Sequence, residues 1–104
     1  MKTAIGLSLL LGCATWSAPL LASDALAQKA GCMACHAKEK KLVGPSFKDV
    51  AAKYAGDAGA AAQLSAKVRS GGKGVWGQIP MPPNDAEKIN DADLKSVVDW
   101  ILKG

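Results

Sequence analysis

The chain has little that ligates metal: one histidine and three cysteines in 104 residues, with neither type after His36. A structural zinc site needs four ligands, usually completed by a second Cys/His pair, and none is available. No segment alternates like a strand, so the βαβ setting of a thioredoxin-like redox pair is missing. The apolar run from Ala4 to Leu11 is too short to span a bilayer. Glycines 71, 72, 74 and 77 lack the GxxxxGK[ST] order of a phosphate loop. No repeat or low-complexity tract breaks the chain, and its length fits one domain. A formal charge of +4 is mildly basic and carries no nucleic-acid signature.

What is present is concentrated in Cys32-Met33-Ala34-Cys35-His36. Two cysteines two residues apart, with histidine directly after the second, read as a c-type haem attachment site. Each thiol adds across one vinyl group, and the spacing lets one helical turn present both sulfurs to neighbouring vinyls. His36, next on that turn, is aimed at the iron as its proximal ligand. A structural disulfide would use the same cysteines but leaves His36 without a role.

The N-terminal segment reads as a secretory signal. Lys2 precedes the apolar run, and small residues follow up to Ala22, where cleavage is expected, leaving residues 23–104 as the mature domain. An alternative stays open, because Leu10-Leu11-Gly12-Cys13 resembles the lipobox of bacterial lipoproteins, cut before a cysteine that then carries lipid. Lys2 is the one charge lost with residues 1–22, so 12 basic residues face 9 acidic ones afterwards. A domain this small buries little apolar surface and usually needs a staple, and a covalent haem supplies one. Export agrees with the motif class, whose haem is attached outside the cytoplasm.

Downstream the pattern is helical. Ser23 to Ala30 reads as a first helix carrying Cys32, Cys35 and His36 near its C-terminal end. Pro45 ends the next loop with a carbonyl free to accept from a ligating histidine. Ser46 looks like an N-cap, and Phe47, Val50, Ala51 and Tyr54 follow at amphipathic spacing up to Gly56. Asp57 to Ser70 reads as the third helix, with Ala61, Leu64 and Val68 as its stripe. Lys67 and Arg69 stand near its C-terminus, where the dipole favours cations. Asn90 or Asp91 caps a last helix whose buried stripe is Leu94, Val97, Val98 and Ile101. Between these helices lies Ile79-Pro80-Met81-Pro82-Pro83, a stiff strap presenting one methionine. Met81 can be an apolar gap-filler. It is also the only thioether free to approach iron from the face opposite His36, since Met1 leaves with the signal and Met33 adjoins His36.

CMACH near the mature N-terminus, LVGPSFKDVAAKYAG, GVWGQIPMPPN and a terminal helix with Trp100 together resemble small bacterial class I cytochromes c of the c-551/c-552 group. The resemblance covers residues 23–104. It implies an all-α class I cytochrome c fold, with about four helices wrapped around one covalent haem c. It also implies thioethers at Cys32 and Cys35, iron ligation by His36 and Met81, and acceptance of the His36 proton by Pro45. Asn84 would bond the Met81 sulfur, and Trp76 would donate to a haem propionate. The chain departs from the pattern in Asp85 to Asn90, which is longer than usual, and Lys67 stands where the family offers arginine.

The expected function is that of a periplasmic one-electron carrier between redox protein partners, monomeric, without nucleic acid or stable membrane insertion. Catalysis would need an acid/base pair beside the metal, and the one histidine is already committed. The alternative is a haem-bearing subunit or lipid-anchored module of a larger redox complex. Docking is expected at an exposed haem edge ringed by lysines such as Lys38, Lys40 or Lys53. Intact-mass measurement of the native protein is expected to give a chain beginning at Ser23 plus one haem. A lipid-modified Cys13 would refute the soluble carrier, and a mass without haem would refute the attachment site.

Overall fold

The computed structural model describes residues 22–104 and, upstream, Gly6 and Gly12 alone. The signal segment and Cys13 therefore lie outside the described residues. The described residues form four helices in order, α1 (Ser23–Lys29), α2 (Phe47–Lys53), α3 (Ala60–Ser70) and α4 (Asp91–Lys103), with a short 3-10 turn at Cys32–Ala34 after α1. Among the described residues there is no strand, only an isolated antiparallel bridge between Gly72 and Met81.

The caps follow local chemistry. Ser46 Oγ accepts from the Asp49 backbone N–H at 3.0 Å and opens α2, and Asn90 Oδ1 accepts from that of Asp93 at 2.8 Å and opens α4. Both satisfy amides that have no partner inside their helix. Asp91 and Asp93 in the first turn of α4 and Lys103 in its last complement the macrodipole.

Three helix boundaries differ from the sequence reading, and one is the end of α2, which stops at Lys53 instead of running to Gly56. α1 stops at Lys29, because Gly31 takes a left-handed conformation (φ 83°) that turns the chain before the first cysteine. The attachment motif thus sits on its own 3-10 turn and not on the end of α1. α3 begins at Ala60 and not at Asp57. Asp57 Oδ1 accepts from the Gly59 N–H at 2.9 Å, which closes a turn ahead of the helix.

α1, α2 and α3 all pack on α4. The core joins Leu26, Ala27 and Ala30 of the N-terminal segment to Ile89, Leu94, Val97 and Val98, with Leu64, Val68 and Ile101 against it. Among the described residues, the largest fully buried side chains are Val98 and Ser46. A core whose largest fully buried member is a valine offsets little of the chain entropy, so the fold depends on what fills the cavity beside it. The doubly substituted Cys32→Ala, Cys35→Ala chain, unable to attach haem, is expected to be largely unfolded. Native helical far-UV circular dichroism in that variant would contradict this.

Candidate haem site

One apolar cavity of about 420 Å³ lies against α4, within the size range of small-molecule and cofactor sites. Its wall includes Cys32, Cys35 and His36 from the turn after α1, Pro45 from the following loop, and Trp76 and Met81 from the segment after α3. Leu94, Val97, Val98 and Ile101 of α4 form its floor. Six of the seven residues expected at the site therefore meet in one space, although 49 positions separate Cys32 from Met81 in sequence.

His36 is fixed from three directions. Its Nδ1 lies 2.7 Å from the Pro45 carbonyl oxygen, so Nδ1–H donates there and Nε2 is left as the lone-pair nitrogen. The Phe47 ring stacks on the imidazole at 5.2 Å between centroids and 22° between planes. Gly44 closes the third side, since a Cβ built there would stand 2.6 Å from His36 Cε1. Only a residue without a side chain fits so close to the ring. Trp100 in turn meets Phe47 edge-on at 5.6 Å. The sequence marked the Pro45 carbonyl as an acceptor, but neither Gly44 nor the aromatic stack was visible in it as a site feature.

Cys32 and Cys35 carry free thiols, both half-buried. Burial pushes the Cys32 thiol up, against the smaller opposing pulls of a backbone hydrogen bond and Lys88.

The strap is held at both ends. Gly72 and Met81 exchange two backbone hydrogen bonds, at 3.1 and 2.8 Å. Gly71 is left-handed (φ 70°), and a Cβ there would run into the backbone of Met81, Pro82 and Pro83, so glycine is required at 71 both for conformation and for space. Asn84 is buried behind the strap, outside the cavity wall. Its backbone N–H donates to the Val68 carbonyl at 3.0 Å, and its side-chain Nδ2 donates to the carbonyls of Val68 (3.2 Å) and Pro82 (3.1 Å). Those bonds use both amide hydrogens. The resemblance gave this amide to the Met81 sulfur; in this structure it anchors the turn that carries Met81.

Trp76 is 39% exposed at the rim, with Lys53 Nζ 5.5 Å from its ring centroid. Lys41, Lys67 and Lys73 also line the cavity. Lys38, expected with them, points elsewhere: its Nζ lies 5.8 Å from the Trp100 ring, beside a separate surface notch. The residues fit a flat apolar group bonded through two sulfurs, because the wall is mostly aliphatic, the thiols are free, and the one imidazole turns a free nitrogen away from its backbone partner.

Comparisons with known proteins agree with that geometry. Residues 22–104 match the Cytochrome c family. The chain is 57% identical over 82 residues to cytochrome c-551 of Allochromatium vinosum, covering 79% of this chain and 85% of that protein. It is 56% identical over 77 residues to cytochrome c-552 of Nitrosomonas europaea, covering 74% and 73%. The crystal structure of wild-type Nitrosomonas europaea cytochrome c552 superposes with a TM-score of 0.69 at 52% identity, over 77% of this chain and 96% of that one. The chain belongs to the cytochrome c family, as a small class I member of the c-551/c-552 group that binds a covalent c-type haem and carries electrons without being an enzyme.

Proposed function

We propose that the protein is a periplasmic one-electron shuttle whose haem is bonded to Cys32 and Cys35 and whose iron is held by His36 and Met81. The observation that carries this reading is the convergence of those four residues on one apolar cavity. When bound, the haem supplies a single reversible electron at iron. The chain does the rest. Pro45, Phe47 and Gly44 hold the His36 ring with Nε2 free, the nitrogen that would bind the iron. The proline strap presents Met81 from backbone that is hydrogen-bonded to Gly72, so little rearrangement is needed when the charge changes. Trp76 at the rim would donate its indole N–H to a propionate, and Lys67, lying against Gly72 in the same wall, would offer it a cation. Periplasmic residence rests on the signal-like N-terminal sequence together with the attachment motif.

Sulfur ligation favours the reduced metal. Met81→His is therefore expected to lower the midpoint potential by on the order of 0.1 V or more, since axial ligands govern haem potentials over about 0.8 V. Each 59 mV is tenfold in a one-electron equilibrium. Met81→Ala is expected to open the site, so that the reduced protein binds carbon monoxide. A potential unchanged in both variants would assign the sixth position to another group.

The rim suggests how partners meet the cavity. Leu42, Val43, Val75, Trp76 and Ile79 are exposed around it, each at least 39% accessible, among Lys41, Lys53 and Lys73. An apolar centre edged with cations suits a redox partner carrying an acidic border. Exposed charges act mostly on encounter and are screened by salt. Stopped-flow electron transfer to the native partner is expected to slow as ionic strength rises; a rate independent of salt would show that the lysines do not steer.

A further inference from the structure

We propose that Arg69 is a positioning residue, a latch on the Met81 strap that sets how readily the sixth position opens to an outside ligand. The proposal rests on the reading of Met81 as that ligand.

Arg69 stands in the last turn of α3, where a cation facing the helix dipole would need no further explanation. Its side chain does more than that. Nη1 donates to the Ile89 carbonyl at 2.6 Å and to the Asn84 carbonyl at 3.3 Å. Nη2 donates to Asp91 Oδ1 at 2.6 Å. One guanidinium thus ties α3 to the exit of the strap, to the corner before α4, and to the first residue of α4. The planar fork of arginine suits three acceptors in fixed directions; lysine offers only a mobile point charge.

The three contacts are unequal. Asp91 is 96% exposed on its side chain, against 26% for Arg69, so the ion pair itself contributes little. The carbonyls matter more. Ile89 belongs to the buried core, and a carbonyl leaving such a position without a partner carries a desolvation penalty. Asn84 is the residue whose backbone and amide already grip Val68 and Pro82. Arg69 therefore completes the downstream anchor of residues 81–84, whereas the Gly72 bridge is the upstream one. The stretch Asp85 to Asn90 otherwise turns on itself, with Asp85 Oδ1 accepting from the backbone of Glu87 and Lys88. Removing the guanidinium leaves the upstream bridge intact and leaves the downstream end to the Asn84 bonds alone, which raises the fraction of molecules with Met81 displaced. Apparent affinity for an outside ligand scales with that fraction.

The test uses the ferric haem-loaded protein titrated with cyanide and followed by visible absorbance. The variants are Arg69→Met, Arg69→Lys, Asp91→Asn, Met81→Ala and Ala27→Gly, the last destabilising α1 away from the cavity. Arg69→Met is expected to bind cyanide at least about tenfold more tightly than the native protein, with Arg69→Lys in between and Asp91→Asn within about twofold of native. Ala27→Gly is expected to unfold more easily yet bind cyanide as the native protein does, so general loss of stability does not imitate the effect. If Arg69→Met proves too unstable to load haem, Arg69→Lys against Ala27→Gly makes the same comparison. Arginine variants binding no more tightly than Ala27→Gly would overturn the latch while leaving Met81 in place. If Met81→Ala itself gains no affinity, the ligand reading fails, and the latch with it.

Discussion

A cavity that the polypeptide cannot fill governs this fold. α4 gathers the other three helices, but Leu94, Val97, Val98 and Ile101, which it contributes to the core, also form the cavity floor. Core and binding site are therefore one surface seen from two sides. Larger domains separate a packing centre from a functional cleft; here there is no material for both. Burial of the cofactor and burial of the core are the same event, and a covalent link ensures that the group contributing the apolar area does not dissociate.

Much of this was legible because it is local. CMACH states its chemistry in five residues, and Ser46 and Asn90 cap the helices that their neighbours predict. The errors came where one residue's backbone outvotes a pattern. Gly31 cuts α1 short through a left-handed turn, and Asp57 spends its carboxylate on Gly59, so α3 starts late. Other features are silent in sequence because the partners are remote or carry no signature. Arg69 bonds carbonyls 15 and 20 residues away, and any residue supplies a carbonyl. Gly44 reads as a turn glycine until the His36 ring is placed beside it.

The two sides of the site are held by different means. His36 is fixed within a short stretch: its partners at 44, 45 and 47 lie on the adjoining loop and the start of α2. Such contacts form with little loop closure. Met81 depends instead on α3 holding a strap that begins only after a glycine-rich turn, through the Gly72 bridge, the Val68 carbonyl and Arg69. Its hold is as good as the docking of α3 against the corner at Ile89.

That asymmetry has a thermodynamic consequence. Local openings in a protein follow the segments with fewest anchors, and the strap is tied to the rest of the fold through the Gly72 bridge, the Val68 carbonyl and Arg69. Among the described residues, every buried side-chain polar atom has a partner. Polar strain is thus absent, and mobility at the strap is limited chiefly by its few long-range anchors. The histidine side is held by neighbours at 44, 45 and 47, the last at the start of the capped helix α2. On the proposed ligation, the methionine side would open by releasing the few hydrogen bonds that tie the strap to Gly72, Val68 and Arg69.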